Sequence, residues 1–284
     1  MNNQGVIMRK TFYAVTAAVA ISLIAPLAGA STPEEDRLAF QQFYMDRFPD
    51  TPKADFINGI YAIDAGSRET FDAIEEFAPY EIDIEKGEEM FNTPFANGSG
   101  YKDCFGEPGV KHKYPYFDSN SGEIVTLESA INDCRKAAGE KPLKYKRGPI
   151  AALTGYMAFE SRGKIFDVKI PDDPRALAQY NLGKRFWYQK RGQLNLACAD
   201  CHWDNAGNYI RTERLSPAFG HVTHWPVYRA KWGSLGTLHR RFGGCNSQVR
   251  AKPLEAQSKE YKALEYFLTY MSNGLEANGP ATRK

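Results

Sequence analysis

Cys198, Ala199, Asp200, Cys201 and His202 are the residues of this sequence best suited to chemistry. Two cysteines three apart share one face of a helical turn, and a histidine four after the first lies on the same face. Two thiols so placed can add across the vinyl groups of a porphyrin while the imidazole rises to the iron. C-x-x-C-H therefore reads as covalent attachment of haem c, with His202 as proximal ligand. The motif is short. A dithiol redox site or half of a zinc site would contain the same letters, but a metal or dithiol module needs further ligands at suitable spacing.

An iron held by His202 has a second axial position, for which His221, His224, His239, Met271 and Cys245 are the candidates. Met271 falls on the apolar stripe of a closing helix and reads as core. His221 and His224 follow His202 so closely that reaching the opposite face is awkward. Cys245 ends the run Phe242-Gly243-Gly244-Cys245, in which two glycines let the backbone pass close to a macrocycle. A thiolate there would stabilise ferric iron and depress its potential, which suits a catalytic centre better than a simple carrier. Between Glu213 and Glu255 there is no acidic residue, whereas Arg214, Arg229, Lys231, Arg240, Arg241, Arg250 and Lys252 are cationic. That local excess would attract an anion or an acidic partner and favour an ionised thiol at Cys245.

The rest of the chain must position these residues. At 284 residues and 43% hydrophobic it can build a full core and two domains of ordinary size. Arg9 and Lys10, the apolar run Thr11 to Leu27 and the small-x-small site Ala28-Gly29-Ala30 read as a secretory signal peptide, residues 1–30. The run is shorter than the ~20 residues a spanning helix needs. Removing it takes two of the 36 basic residues and none of the 34 acidic ones, leaving a formally neutral mature chain. Global charge predicts no nucleic-acid partner, and no later stretch would span a membrane. The expected compartment is the periplasm, where disulfides persist.

From Ile84 the chain repeats itself. Gly87-Glu88-Glu89-Met90-Phe91, a loop and Cys104 run parallel to Gly183-Lys184-Arg185-Phe186-Trp187, a loop and Cys198. Cys134 precedes Leu153 to Met157 by about the distance at which Cys245 precedes Leu268 to Met271. The layout is mainly α, as two tandem cytochrome c-like domains: residues 31–165 without haem and residues 166–284 with it. Arg162 to Lys164 and Ile170 to Pro174 supply the linker. In the first unit Cys104 is followed by neither a second cysteine nor a histidine. With Cys198 and Cys201 given to haem, Cys104 and Cys134 can pair, and Cys245 is left unpaired.

Among smaller elements, Thr32-Pro33-Glu34-Glu35 reads as a capped helix start, and Ser67 as the cap of a second helix ending before Pro79. Both pack on the first domain in this reading. Pro253 to Met271 reads as the closing helix with Gly274 beyond it, and Asn278 onward as a frayed tail.

Arg229 and the run Lys231-Trp232-Gly233-Ser234-Leu235-Gly236-Thr237-Leu238-His239-Arg240-Arg241-Phe242-Gly243-Gly244-Cys245-Asn246, together with Cys198 to His202, resemble the SoxA family, one half of the SoxAX cytochrome of bacterial thiosulfate oxidation. The likeness extends to Tyr114 to Asp118, Leu127-Glu128 and Ile131 to Arg135. A single C-x-x-C-H sets the sequence apart from two-haem members. The resemblance implies one covalently bound haem c with His202 and Cys245 as axial ligands, and Cys245, often a persulfide, as the sulfur that handles substrate. It implies that Arg241 contacts thiosulfate, that a SoxX-type cytochrome c forms a heterodimer with this chain, that a cysteine of the SoxYZ carrier accepts the thiosulfate, and that electrons leave to a soluble cytochrome. The implied activity is that of an L-cysteine S-thiosulfotransferase. The alternative is a non-catalytic periplasmic electron-transfer cytochrome c, which has no use for Cys245 or the cationic block.

Overall fold

Thr32 caps the first helix, α1 (Pro33–Arg47), and the pair is reciprocal: its hydroxyl accepts from the Glu35 amide at 3.2 Å and the Glu35 carboxylate accepts from the Thr32 amide at 2.8 Å. The computed structural model describes residues 31–283; the signal segment at residues 1–30 lies outside them. Contrary to the expectation from chain order, α1 packs on the second unit. Phe40 meets Trp187 and Phe267 at ring distances of 6.5 and 6.4 Å, and Gln41 Nε2 donates to the carbonyls of Met271 and Asn273 at 3.0 Å. The aromatic face of α1 finds its largest ring surface there, and that decides its position over proximity in sequence. Lys53–Ala62 winds as 3-10 turns broken at Gly59. The next helix, α2 (Ala65–Glu75), is capped by Asp64, with Ser67 supplying the amide that Asp64 accepts from at 3.0 Å rather than the cap itself.

The two units have matching elements. The first runs α3 (Glu81–Asn92), α4 (Tyr101–Phe105), the hairpin β1 (Tyr116–Asp118) and β2 (Glu123–Val125), α5 (Leu127–Ala137) and α6 (Pro149–Phe159). The second runs α7 (Pro174–Tyr188), a short pair β3 (Tyr209–Ile210) and β4 (Glu213–Arg214), the hairpin β5 (Val227–Arg229) and β6 (Ser234–Gly236), α8 (Leu238–Gln248) and α9 (Lys259–Met271). Where α3 crosses α6, a Cβ on Gly87 would lie 2.2 Å from the Ala152 carbonyl oxygen and 2.8 Å from Tyr156 Cβ. Where α7 crosses α9, a Cβ on Gly183 would lie 2.1 Å from the Ala263 oxygen and 2.8 Å from Phe267 Cβ. Each crossing is thus set by one glycine against an alanine and an aromatic residue four apart. Thr126 and Thr237 occupy the N-cap positions of α5 and α8, and Cys134 and Cys245 each lie seven residues into their helix.

Cys104 on α4 and Cys134 on α5 form a disulfide with a sequence separation of 30. Closing a loop of that length removes chain entropy from the unfolded state. Replacing both cysteines by serine is expected to lower unfolding free energy by about 3 to 4 kcal/mol in urea titrations at constant slope. A loss under about 1 kcal/mol would mean that the unfolded chain is already constrained there.

The end of the chain is not a frayed tail. Ala281–Arg283 forms β7, which lies parallel to β5 and completes a three-stranded sheet in the order β6-β5-β7. Arg162 donates to the carbonyls of Gly279 and Pro280, the Asn278 amide donates to Thr223, and Glu75 accepts from the Thr282 amide. The turn residues at 278–280 carry the chain into that sheet. The closing helix begins at Lys259, with Ser258 as cap, rather than at Pro253. Among the described residues no helix is long and apolar enough to cross a membrane.

Candidate haem and thiol site

Between α7 and β3 the chain turns through Cys198, Cys201 and His202, with residues 200–204 wound more widely than an α-helix. Asp200 braces the turn by accepting from the Ala197 amide at 2.8 Å. His202 Nδ1 lies 2.9 Å from the Ser216 carbonyl. A carbonyl only accepts, so the proton is on Nδ1 and Nε2 keeps its lone pair. Burial pushes the imidazole pKa down to about 4, with the nearby Arg241 charge acting in the same direction. His202 is therefore neutral at pH 7, the form in which imidazole binds a metal.

Helix α1 holds this turn from behind. The Tyr44 hydroxyl donates to the His202 carbonyl at 2.5 Å, Arg47 Nε donates to the Ala206 carbonyl at 2.9 Å, and Trp203 stacks on Phe43 at 3.8 Å with an interplanar angle of 8°. Trp187 of α7 lies 6.4 Å from the His202 ring. Two helices thus fix the orientation of one imidazole.

The three free cysteines form one group. Burial pushes the Cys198 thiol up to about 12; Arg191 opposes this, and charge at Cys245 and Cys201 adds to it. Burial and then Cys245 raise the Cys201 thiol. As thioethers to a porphyrin, Cys198 and Cys201 would no longer ionise. Cys245 comes to the site from α8, and Arg241, one turn earlier, lies on the same face. The Arg241 charge acts on both His202 and His221, so the end of its side chain is close to the imidazoles.

The other candidate axial ligands lie elsewhere. His221 packs edge-on against His202 at 4.4 Å, with Nε2 2.8 Å from the Ser216 hydroxyl. His224 Nδ1 lies 3.1 Å from the Ile57 carbonyl. His239 is buried on the far side of α8, and Met271 is 1% exposed within the main hydrophobic core. The cationic block is also divided. Arg214 pairs with Asp64 at 3.7 Å, whereas among the described residues no carboxylate lies within 4 Å of Arg229, Arg240 or Arg241. Arg229 feels burial and then the Arg241 charge, both lowering its pKa, and its buried Nε has no hydrogen-bond partner.

These residues suit a haem. His202 offers a bare Nε2, two thiols flank it, and a Cβ added at Gly244 would meet no atom within 4 Å while one at Gly243 would come no nearer than 3.7 Å to any. Protein packing therefore explains Gly87 and Gly183 but leaves the glycine pair beside Cys245 open on its own helix.

A family model described as SoxA/TsdA, cytochrome c domain matches residues 86–166 and 182–277, one segment in each unit. The chain belongs to the SoxA/TsdA cytochrome c family. A cytochrome c domain implies covalently bound haem c, which the residues above can hold. The chain is 60% identical to the L-cysteine S-thiosulfotransferase subunit SoxA of Allochromatium vinosum over 257 residues, covering 90% of this chain and 92% of that one. It is 51% identical to the subunit of the same name from Chlorobaculum tepidum over 252 residues, covering 88% of each. The crystal structure of SoxXA from P. pantotrophus superposes with a TM-score of 0.69 at 29% identity, over 76% of this chain and 84% of that one.

Sequence reasoning did not find the residues that hold the turn at Cys198 to His202 in place. Ser216 acts through its carbonyl, which has no side-chain signature. Tyr44 and Phe43 lie more than 150 residues from the turn they hold. Arg229 was visible as one cation among seven and as the start of the resembling run, but its buried Nε without a partner exists only in the fold.

Proposed function

We propose that this chain is the haem-carrying subunit of a periplasmic L-cysteine S-thiosulfotransferase, with one haem c, and that Cys245 and Arg241 carry its chemistry. The observation that supports this most is the convergence of Arg241 and Cys245, one turn apart on α8, on the face of the molecule that holds Cys198, Cys201 and His202. Cys198 and Cys201 would anchor the haem through thioether bonds, and His202 and Cys245 would hold its iron. Haem, when bound, supplies the acceptor for the electrons that the reaction releases.

Arg241 presents a planar fork of donors to the sulfonate end of thiosulfate, and with no carboxylate competing for it the guanidinium is available to that anion. The Cys245 sulfur bonds to the outer sulfur of thiosulfate with loss of two electrons. The thiolate of a carrier cysteine then attacks that outer sulfur, and Cys245 leaves as thiolate. The sum joins a carrier thiol to thiosulfate through a new sulfur–sulfur bond and releases one proton and two electrons. A carrier of the SoxYZ type and a SoxX-type cytochrome partner in a heterodimer fit these requirements, with a soluble cytochrome taking the electrons onward.

Arg241→Ala should raise the thiosulfate KM by about 10- to 100-fold, as expected for loss of a charged hydrogen-bonding partner worth a few kcal/mol, with the haem spectrum nearly unchanged. A parallel loss of haem would show Arg241 to be structural. Mass spectrometry of the matured protein should find one haem and, in a fraction of molecules, an adduct of about 32 Da at Cys245, one added sulfur atom.

A further inference from the structure

Behind α8, on the side away from Cys245, four ionisable side chains lie together almost out of solvent: Lys111 5%, Glu128 6%, His239 2% and Glu265 2% exposed. They come from both units. Lys111 precedes β1, Glu128 is the second residue of α5, His239 is the second residue of α8, and Glu265 belongs to α9. Glu128 and His239 thus hold the same place in the two repeats, and His239 acts electrostatically on the Glu128 carboxyl. Lys111 Nζ lies 3.4 Å from Glu265 Oε1, and His239 Nε2 lies 3.0 Å from Glu265 Oε2, bent out of good hydrogen-bond alignment. The Gln257 amide donates to His239 Nδ1 at 2.9 Å, so the imidazole proton is on Nε2, facing Glu265. Gln257 in turn accepts from the hydroxyl of Thr126, the α5 cap, at 2.7 Å. Burial works against the Glu265 carboxylate, but Lys111 and His239 outweigh it and keep Glu265 ionised, while burial holds the Glu128 carboxyl above the usual carboxylate range.

The helix start is held from the same unit. The Thr237 hydroxyl donates to the Tyr145 carbonyl at 2.9 Å and the Thr237 amide points to the Lys146 carbonyl at 3.3 Å. Further along the buried side, Asn246 Nδ2 donates to the Tyr261 hydroxyl at 2.5 Å. An α-helix turns about 100° per residue, so Arg241 and Cys245 lie about 200° and 240° round the axis from His239. Fixing His239 inward fixes the other two outward.

We propose that His239 is a positioning residue for Arg241 and Cys245, and that the haem-less unit sets its place through Lys111 and the grip on Thr237. The retained role of the first unit is to hold the thiol helix. The consequence at the iron rests on the reading of Cys245 as ligand given above; the consequence for the helix does not.

The test compares full-length, haem-loaded wild type with Lys111→Met, Lys111→Arg, His239→Gln and Thr237→Val. Lys111→Met and His239→Gln should speed amide hydrogen exchange in α8 about 10-fold or more while α3, which carries none of these partners, stays as in wild type. They should also divide the ferric electron paramagnetic resonance signal into two ligand populations and lower turnover by about 10- to 100-fold, the usual effect of removing a group that orients a metal ligand. Lys111→Arg should restore both. Unchanged exchange in α8 overturns the proposal, and so does equal acceleration throughout the chain. If Lys111→Met does not fold, Thr237→Val decides by the same criteria, since it keeps the shape and loses only the hydroxyl that donates to the Tyr145 carbonyl. A wild-type spectrum without a thiolate ligand would overturn the proposed function and leave the exchange comparison to decide this one.

Discussion

Cys245→Ala should abolish thiosulfate-dependent turnover, a fall of about 10⁴-fold or more, while leaving the covalent haem in place. In the proposed reading haem attachment would depend on Cys198 and Cys201, which α8 does not supply. Alanine removes at once the only sulfur that comes to this site from α8 and, in the proposed reading, the ligand opposite His202. The ferric protein should then show high-spin iron or a replacement ligand in electron paramagnetic resonance. His221 cannot step in without breaking its contact to Ser216 and moving from beside His202 to the far side. An unchanged spectrum with full turnover would sink the assignment. A changed spectrum with turnover retained would separate the two roles and make Cys245 a ligand only.

The second large effect concerns the frame rather than the chemistry. Gly183→Ala places a methyl group 2.1 Å from the Ala263 carbonyl oxygen and 2.7 Å from its carbon, and both are backbone atoms of α9 that no rotamer change can move. The helices must separate, which should cost about 3 kcal/mol or more and shift the urea midpoint accordingly. Trp187, which lies against His202, rides on α7, so the haem absorption should broaden as well. Gly66→Ala in α2 is the control, because its added Cβ would come no nearer than 3.9 Å to Asp64 and the helix gains from alanine. A Gly183→Ala protein as stable as wild type would show that the α7–α9 crossing has slack.

What could be read from the sequence was local or repeated. C-x-x-C-H is legible because its chemistry fits within one turn. The duplication is legible because each helix crossing demands a glycine at its point of closest approach, and a demand made twice shows as a pattern at Gly87 and Gly183. What could not be read depends on partners distant in sequence. Helix α1 has no feature that tells which unit its rings will meet. The turn residues Asn278, Gly279 and Pro280 look like an ending because the sheet edge that receives Ala281–Arg283 is formed by β5, some fifty residues earlier. His239 reads as a spare ligand, and only the fold shows it facing Glu265, with Lys111 on the same carboxylate from the other unit.

Helix α1 also constrains the order in which this molecule can be assembled. Its partners are the carbonyls of Met271 and Asn273 and the turn at His202 to Ala206, separated from it by 158 to 232 residues. The first helix among the described residues is therefore among the last to settle, because closing so long a loop has to wait for the final helix. Until then the turn that carries Cys198 and Cys201 lacks the contacts of Phe43, Tyr44 and Arg47. Docking of α1 closes it afterwards. The same fifteen residues that brace the finished imidazole thus act, during maturation, as the last part to close.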